Sequence, residues 1–431
     1  MALTQRFTTK RGYVVTGLGI GQVLSWGSTF YLLAVLAGPI AIDTGWPSSL
    51  VVAGVSVGLV IAGLGSPRVG ALVAGNHGRT VLIASALLLA LGLAVLGMAP
   101  NQWWYLGAWL ILGLGMSGGL YGGAFAVLGH TYGSSARSAI TLLTLFGGFA
   151  STICWPLSTL LVDVVGWRWT ALVYAGAHLV ITAPLYALTI PRQPCGPTPG
   201  GGSPASNHAT SGASGPRWLL IILVATISAL GTSIAALMSV HMFSMLAGIG
   251  IAGTAAVVLA ATIGPSQVGA RFLEFVIGRK QHPLWTLLTA TFAMAVSIGF
   301  LGMGILAPAI LVVVYGVGIG LNSIAHGTVP LAMFGQDQYA RIMGRIALPS
   351  LLAQAAAPIV GSVLIHNLGH RNTLIALGIL AFMAFLLAIW LMLLHHGKRK
   401  NQARLLWRRP ADSEAPPSGD AVQMSPNASR L

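Results

Sequence analysis

The chain has 431 residues, of which 55% are hydrophobic and only 7% are charged. Soluble domains carry about 25% charged residues, so these few charges cannot cover a water-facing surface, and a soluble enzyme is excluded. The formal net charge of +15 comes from basic residues scattered singly between apolar runs, so no nucleic-acid partner is expected. Two cysteines, Cys154 and Cys195, are too few for a disulfide framework or a thiolate metal site. Composition therefore predicts a polytopic membrane protein.

Long apolar runs predict the membrane-spanning elements. A helix that crosses about 30 Å of hydrocarbon needs roughly 20 apolar residues. The first half of the sequence has such runs at residues 13–36, 50–73, 80–99, 104–129, 138–162 and 168–190. The second half has them at residues 217–240, 250–270, 283–305, 307–333, 345–366 and 371–394. The predicted fold is all-α, with twelve transmembrane helices in two six-helix bundles.

A stretch rich in Pro, Gly and Ser separates the two sets of helices and has the composition of a flexible linker. It divides the chain into two halves of similar length. The predicted organisation is a cytoplasmic N-terminus (1–12), an N-terminal bundle (13–190), a cytoplasmic linker (191–216), a C-terminal bundle (217–394) and a basic cytoplasmic tail (395–431).

The basic residues predict the orientation. With twelve alternating helices and a cytoplasmic N-terminus, only Arg168 and Arg371 fall outside, and the remaining 20 of the 22 Lys and Arg residues fall inside. The positive-inside rule places the more basic side in the cytoplasm. We therefore expect a multi-pass protein of the cell membrane, typical of a bacterial inner membrane, with both termini in the cytoplasm.

The two halves share an internal repeat. The segment GSPRVGA at 65–71 aligns with GPSQVGA at 264–270 at an offset of 199. The segment GWR at 166–168 aligns with GHR at 369–371 at an offset of 203. Two six-helix halves related by a parallel repeat, with a binding site between them, describe one class of secondary transporter.

The loop after the second predicted helix carries a family resemblance. It reads GALVAGNHGRT and resembles the G-x-x-x-D-R-x-G-R-R loop of the major facilitator superfamily at Gly70, Gly78 and Arg79. The resemblance covers roughly residues 13–394 and implies alternating access around a cavity lined by the first, fourth, seventh and tenth helices. In the family this loop helps to hold the cytoplasmic side closed. Ala74 replaces the usual Asp, which puts that lock in doubt here.

Polar side chains share helical faces on the four helices that this resemblance assigns to the cavity. A polar group inside a membrane must find a partner or face water, so these residues are candidates for substrate binding. Interhelical hydrogen bonding is the alternative, and Ser and Thr also bond to their own helix backbone. His326 is in addition a candidate proton site, because histidine titrates near physiological pH and no carboxylate is predicted mid-membrane. The candidate substrate-binding residues are Gln22, Trp26, Thr29, Tyr121, Thr232, Tyr315, Asn322 and His326.

Charged and glycine residues near the cytoplasmic helix ends are candidates for a conformational gate. Arg271 and Glu274 stand three residues apart on one helical face, where they can pair. A solvated loop cluster without this role is the alternative. The candidate gating residues are Arg68, Gly70, Arg79, Arg137, Arg271, Glu274, Asp337 and Arg341.

The sequence thus predicts a secondary active transporter of a small organic solute, with efflux of an amphiphilic compound as the leading interpretation. A likeness to the monocarboxylate-porter branch at Tyr132, Arg137 and Gly147 makes uptake or exchange of a small organic anion, such as a monocarboxylate, the alternative. A non-transporting membrane receptor is an alternative of a different class. No enzymatic activity, metal or cofactor is expected, and a proton gradient is the candidate source of coupling. The expected partners are the substrate and the lipid bilayer, with the chain as a monomer.

Overall fold

A computed structural model describes residues 2–192, 217–251, 253–278 and 281–407. Nearly all of the predicted linker, and the tail from residue 408 onward, lie outside the described residues. Within them the regular structure is entirely helical, which confirms the predicted fold class. Helices form here because a helix satisfies its own backbone hydrogen bonds, and an apolar bilayer offers no others.

The N-terminal half contains nine α-helices, joined by short turns. They are α1 (Ala2–Gly27), α2 (Leu33–Thr44), α3 (Ser48–Leu72), α4 (Gly78–Gly97), α5 (Gln102–Gly119), α6 (Tyr121–Tyr132), α7 (Ala136–Gly148), α8 (Ala150–Ala177) and α9 (Ala183–Thr189). π-Helical turns at Val73–His77 and His178–Thr182 join α3 to α4 and α8 to α9.

The described part of the C-terminal half contains six longer α-helices. They are α10 (Arg217–Gly248), α11 (Gly253–Ala261), α12 (Ile263–Val276), α13 (Pro283–Met303), α14 (Pro308–Phe334) and α15 (Gln336–Trp407). Three of them extend well beyond the predicted spans, and the first of these, α10, ends at Gly248 instead of residue 240. Helix α12 continues past residue 270 to Val276, and α15 begins at Gln336 instead of residue 345.

Eight of the described helical stretches are long and apolar enough to cross a membrane. Three of them are long enough to cross twice, with 50, 54 and 61 residues over Ser48–Gly97, Ala136–Thr189 and Gln336–His396. Each is interrupted by a residue with positive φ, at Asn76, Gly166 and Gly369 respectively. If each interrupted stretch crosses twice, and α1 with α2 crosses once more, the eight stretches account for the twelve predicted crossings. The number of crossings itself stays a prediction.

Gly166 and Gly369 adopt nearly the same backbone conformation, with φ of 79° and 77° and ψ of 167° at both. This region of backbone space is essentially restricted to glycine. The two residues are the glycines of the GWR and GHR segments that the repeat aligned. The two halves therefore share both the sequence of the repeat and the backbone conformation of the turn that precedes the last crossing of each half.

Two helices that the resemblance assigns to the cavity are broken midway. The first crossing is interrupted between α1 and α2, over Ser28–Leu32, and the fourth between α5 and α6 at Leu120, where ψ is −176°. Close packing explains the glycines beside the second break, since a Cβ at Gly123 would overlap the carbonyl oxygen of Gly118.

The two halves meet at one end of the bundle, called here the basic end because Arg68, Arg79 and Arg137 lie there. At this end α3 crosses α15 so closely that a Cβ at Gly70 would lie 2.5 Å from the carbonyl oxygen of Ala340. Toward the opposite end, which carries Arg168, helices α2 and α8 pack extensively on helices of their own half, as do α10 and α11. The structure is therefore closed at the basic end.

Candidate substrate site and gate

A cluster of aromatic rings surrounds the break in the first crossing. The ring of Trp26 lies 5.1 Å from that of Tyr121 and 6.1 Å from that of Tyr31, measured between centroids. Tyr31 in turn meets Trp155 of α8 edge-on at 5.9 Å, and Tyr121 stacks on Phe125 at 5.1 Å. The structure thus brings two of the predicted residues, Trp26 and Tyr121, together.

Gln22 and Thr29 play supporting roles in this region. Gln22 is fully buried, donates to the carbonyl oxygen of Gly119 at 2.7 Å and accepts from the indole N–H of Trp26 at 3.2 Å. It therefore links the first and fourth crossings and orients Trp26. Thr29 donates to the carbonyl oxygen of Ser25 at 2.5 Å, which is the bond to its own helix that was the alternative for Thr.

Arg271 lies beside this aromatic cluster, deep between the halves. Its side chain donates to Ser323 Oγ at 3.1 Å, to the Thr144 carbonyl oxygen at 3.1 Å and to Gln267 Oε1 at 3.3 Å. Thr144 is eight residues from the start of α7, or about 12 Å along the helix axis. Arg271 is 5% exposed. The predicted gating role of Arg271 stays a prediction; the structure shows that α12 continues through this position and that tertiary contacts bury the guanidinium.

The predicted pair of Arg271 with Glu274 does not form. All three hydrogen-bond acceptors of Arg271 are neutral, and among the described residues the ion pairs are Arg137 with Glu274 and Arg168 with Asp43. Arg271 therefore carries a buried positive charge without a carboxylate partner in the described structure. The guanidinium and the Tyr121 hydroxyl lie close together, because they face the adjacent glycines Gly148 and Gly147.

Two adjacent glycines of α7 make room for this arrangement. A Cβ at Gly148 would overlap Nη1 of Arg271, and a Cβ at Gly147 would overlap the hydroxyl of Tyr121. Any larger residue at either position must displace the group that faces it. The pair Gly147–Gly148 is the sequence signal that locates the site, because it marks where α7 closely approaches a neighbouring side chain.

The C-terminal candidates do not join the aromatic cluster. Thr232 donates to the carbonyl oxygens of Ser228 at 2.9 Å and Ser350 at 3.3 Å, and Tyr315 packs into the apolar core of its own half. Asn322 is buried against Gly231 of α10. In the described structure, His326 Nδ1 and the Tyr315 hydroxyl are buried without a hydrogen-bond partner.

The basic end is held closed by contacts between the halves. Arg137 of α7 pairs with Glu274 of α12 at 3.4 Å and donates to the carbonyl oxygens of Gly278, at 2.9 Å, and of Gln281. Glu274 also accepts from Thr286 Oγ1 at 2.7 Å. The structure therefore connects two of the predicted gating residues across the halves.

The other gating candidates divide into two groups. Gly70 lies at the crossing of α3 and α15, where it packs against the backbone of Ala340 and Gly344. Arg79 donates to the carbonyl oxygen of Ala187 at 2.5 Å and so stabilises the N-terminal half alone. Arg68, Asp337 and Arg341 are exposed at the basic end.

An open groove of about 580 Å³ runs along the outer part of α8. Its lining includes Thr152, Trp155 and Asp163. Trp155 belongs both to this groove and to the aromatic cluster, so the groove leads from the end away from the basic residues to the edge of the site.

Two pseudo-equivalent helical halves, closed at one end around a central polar and aromatic site, define the class of polytopic membrane transporters. Residues 18–330 match the family model of the Major Facilitator Superfamily, and the chain belongs to that family. Among curated proteins no significant sequence match was found.

Solved structures of similar fold include two transporters of this superfamily. The human organic anion transporter MFSD10 (TETRAN) superposes with a TM-score of 0.69 at 18% sequence identity, over 88% of this chain and 99% of the other. The proton:xylose symporter XylE, bound to 6-bromo-6-deoxy-D-glucose, superposes with a TM-score of 0.65 at 12% identity, over 88% of this chain and 95% of the other. The TM-scores establish a shared fold, and at identities this low the likeness shows the fold alone.

Proposed function

We propose that this protein is a secondary active transporter of a small organic anion, bound at Arg271 between the two halves. The observation that carries the proposal is the buried charge of Arg271, whose three acceptors are all neutral. A charged group inside a membrane is costly unless it is paired. An anionic substrate supplies the missing partner.

The hydrogen bonding of the guanidinium suits a carboxylate. Of the five N–H groups of Arg271, the bonds to Ser323, Thr144 and Gln267 use one on each nitrogen. One N–H remains on each terminal nitrogen, and two parallel N–H groups bind a carboxylate in bidentate fashion. The rings of Trp26, Tyr31 and their neighbours offer an apolar surface to the organic part of the anion.

This proposal favours the organic anion, the alternative of the sequence analysis, over a neutral amphiphile. The aromatic cluster suits an anion with an apolar or aromatic body, so amphiphilic character and negative charge are compatible in one substrate. Efflux stays a prediction, as do the cytoplasmic location of the basic end, the bacterial inner membrane and the monomeric state. That one of the solved structures of similar fold is an organic anion transporter also supports the proposal.

Counterflow into liposomes tests the proposal. Purified full-length protein is reconstituted into vesicles loaded with unlabelled benzoate or lactate, and entry of the same labelled anion is followed. We expect transient accumulation of label with at least one of these anions and none with a labelled organic cation of similar size. Absence of counterflow for every anion and cation tested, from protein that is folded and correctly inserted, contradicts the transporter and favours the receptor.

A further inference from the structure

The first and last crossings of the N-terminal half face each other along an antiparallel line of small and polar residues, called here the seam. Gly17 meets Thr189, Gly21 meets Tyr186, and Ser28 Oγ lies 2.8 Å from His178 Nε2. This register places Ser25 opposite Thr182, one turn of helix from each of these contacts. The seam adjoins the aromatic site at Gln22, which faces Tyr186 and accepts from the indole N–H of Trp26.

The seam contains buried polar atoms that lack hydrogen-bond partners. The side chains of Ser25, Ser28, His178, Thr182 and Tyr186 are at most 1% exposed. The Tyr186 hydroxyl faces Ser25 and Gln22 but makes no hydrogen bond of normal geometry with either. The unpartnered atoms are Ser25 Oγ, His178 Nδ1, Thr182 Oγ1 and Tyr186 OH.

These four buried polar atoms need a group that satisfies their hydrogen bonding. An unsatisfied buried polar group costs about 1–3 kcal/mol, and buried water with two to four polar partners is the usual remedy. A metal cation is a poor alternative, because no carboxylate among the described residues faces the seam. Four unpartnered atoms along one helix–helix contact therefore point to bound water.

The backbone is irregular at the same place. His178 begins the π-helical turn His178–Thr182, and Ser28 is the first residue of the break between α1 and α2. π-Turns are rare and are frequent at functional sites. The hydrogen bond between His178 and Ser28 thus joins two irregular segments, one of which leads directly to Tyr31 of the aromatic cluster.

We propose that the seam binds water and that His178 takes up a proton there, which makes it the coupling site of this transporter. The step is the transfer of one proton from hydronium, relayed by the seam water, to Nδ1 of the neutral imidazole; it leaves neutral water and an imidazolium in which both nitrogens donate. A buried imidazolium with no carboxylate beside it favours a hydrated, opened seam, so proton uptake shifts the break in α1. By linkage, a movement of the break in α1 also changes the proton affinity of His178.

No charged side chain competes for this role. The elements packed against the turn His178–Thr182 are α1, α4, α8 and α9, whereas the buried arginine of the described structure, Arg271, belongs to α12. The Tyr174 hydroxyl is occupied by Ser158 at 2.8 Å. The titratable side chains that line the surroundings are Cys154, Tyr174 and Tyr186.

Hydrogen–deuterium exchange tests the proposal without any substrate, so its failure is distinct from failure of the anion proposal. The full chain in lipid nanodiscs is labelled at about pH 5.5 and about pH 7.5, which bracket the usual titration of histidine. Exchange of the backbone over Ser28–Leu32 is followed after correction for intrinsic rates. If only the opened seam binds the proton, each fall of one pH unit raises the ratio of opened to closed seam by up to about tenfold. We expect faster corrected exchange at the lower pH.

Matched variants assign the effect to His178. We expect His178→Gln to abolish the pH dependence and His326→Gln, at the other buried histidine candidate, to retain it. If His178→Gln does not fold, Thr182→Val removes one seam hydroxyl at constant shape and should reduce the effect. Thr291→Val, which removes a buried hydroxyl of α13 outside the seam, is its control. A wild-type protein without pH dependence, or loss of the dependence in His326→Gln but not in the seam variants, overturns the proposal.

Discussion

Replacing Arg271 by Gln removes the charge that, among the described residues, the proposed site offers to a substrate. Truncating one partner of a buried, hydrogen-bonded ion pair costs about 2–5 kcal/mol, so the affinity for an anion should fall by roughly 30-fold to 4,000-fold. Arg271→Lys keeps the charge and loses the bidentate fork. If that removes one charge-assisted hydrogen bond of about 1.5 kcal/mol, the loss is about tenfold.

Thermal unfolding with and without anion provides the assay. A ligand present at about 100 times its Kd stabilises the folded state by about 2.7 kcal/mol, and this stabilisation should disappear in Arg271→Gln. Because Arg271 has no carboxylate partner in the described structure, the ligand-free variant should be as stable as the wild type or more stable. Arg371→Gln, at the opposite end of the bundle, is the control and should keep the anion effect. An unchanged Kd in Arg271→Gln would refute the reasoning.

Three further predictions address the site, the gate and the orientation. Gly148→Ala should weaken anion binding by about tenfold or more in the same assay, because its methyl group displaces the guanidinium and removes a hydrogen bond of about 1.5 kcal/mol. Gly176→Ala, which has open space around it, should leave anion binding unchanged. Glu274→Gln breaks the 3.4 Å pair with Arg137 and should raise the population open at the basic end, measured as a longer spin-label distance between the basic ends of α3 and α15; an unchanged distance distribution contradicts a gating role. Cys195, in the predicted cytoplasmic linker, should react with an impermeant maleimide only in broken cells, and labelling in intact cells contradicts the orientation.

Most of the fold could be predicted, because long apolar runs determine the helices and glycines mark two of the turns between them. The membrane penalty on exposed backbone forces each long apolar run into a helix, so the runs mark the helices directly. The repeat correctly paired Gly166 with Gly369, whose shared backbone conformation only glycine adopts readily. Boundaries were less accurate, since α12 and α15 extend beyond their apolar cores and carry polar residues that tertiary contacts satisfy.

The site was predicted only in part. Trp26 and Tyr121 lie together as expected from their helical faces, whereas Tyr31 was missed because it lies in a helical break that hydropathy does not reveal. Arg271 was predicted near the cytoplasmic helix ends because the apolar run of the eighth predicted span stops at residue 270. Its neutral partners come from three helices, and such a long-range arrangement leaves little trace in a single sequence beyond the glycines that make room for it.

Charge selectivity at the central site is the most direct test of this account. Benzoate, benzyl alcohol and benzylammonium share one ring and differ in charge, so the aromatic surface contributes similarly to all three. Titration calorimetry of the purified wild-type protein with each compound separates the contribution of Arg271 from that of the rings. The account predicts that benzoate binds and that the neutral and cationic compounds bind at least about tenfold more weakly, the equivalent of one lost charge-assisted hydrogen bond. Equal or tighter binding of the alcohol or the cation contradicts an anion site at Arg271.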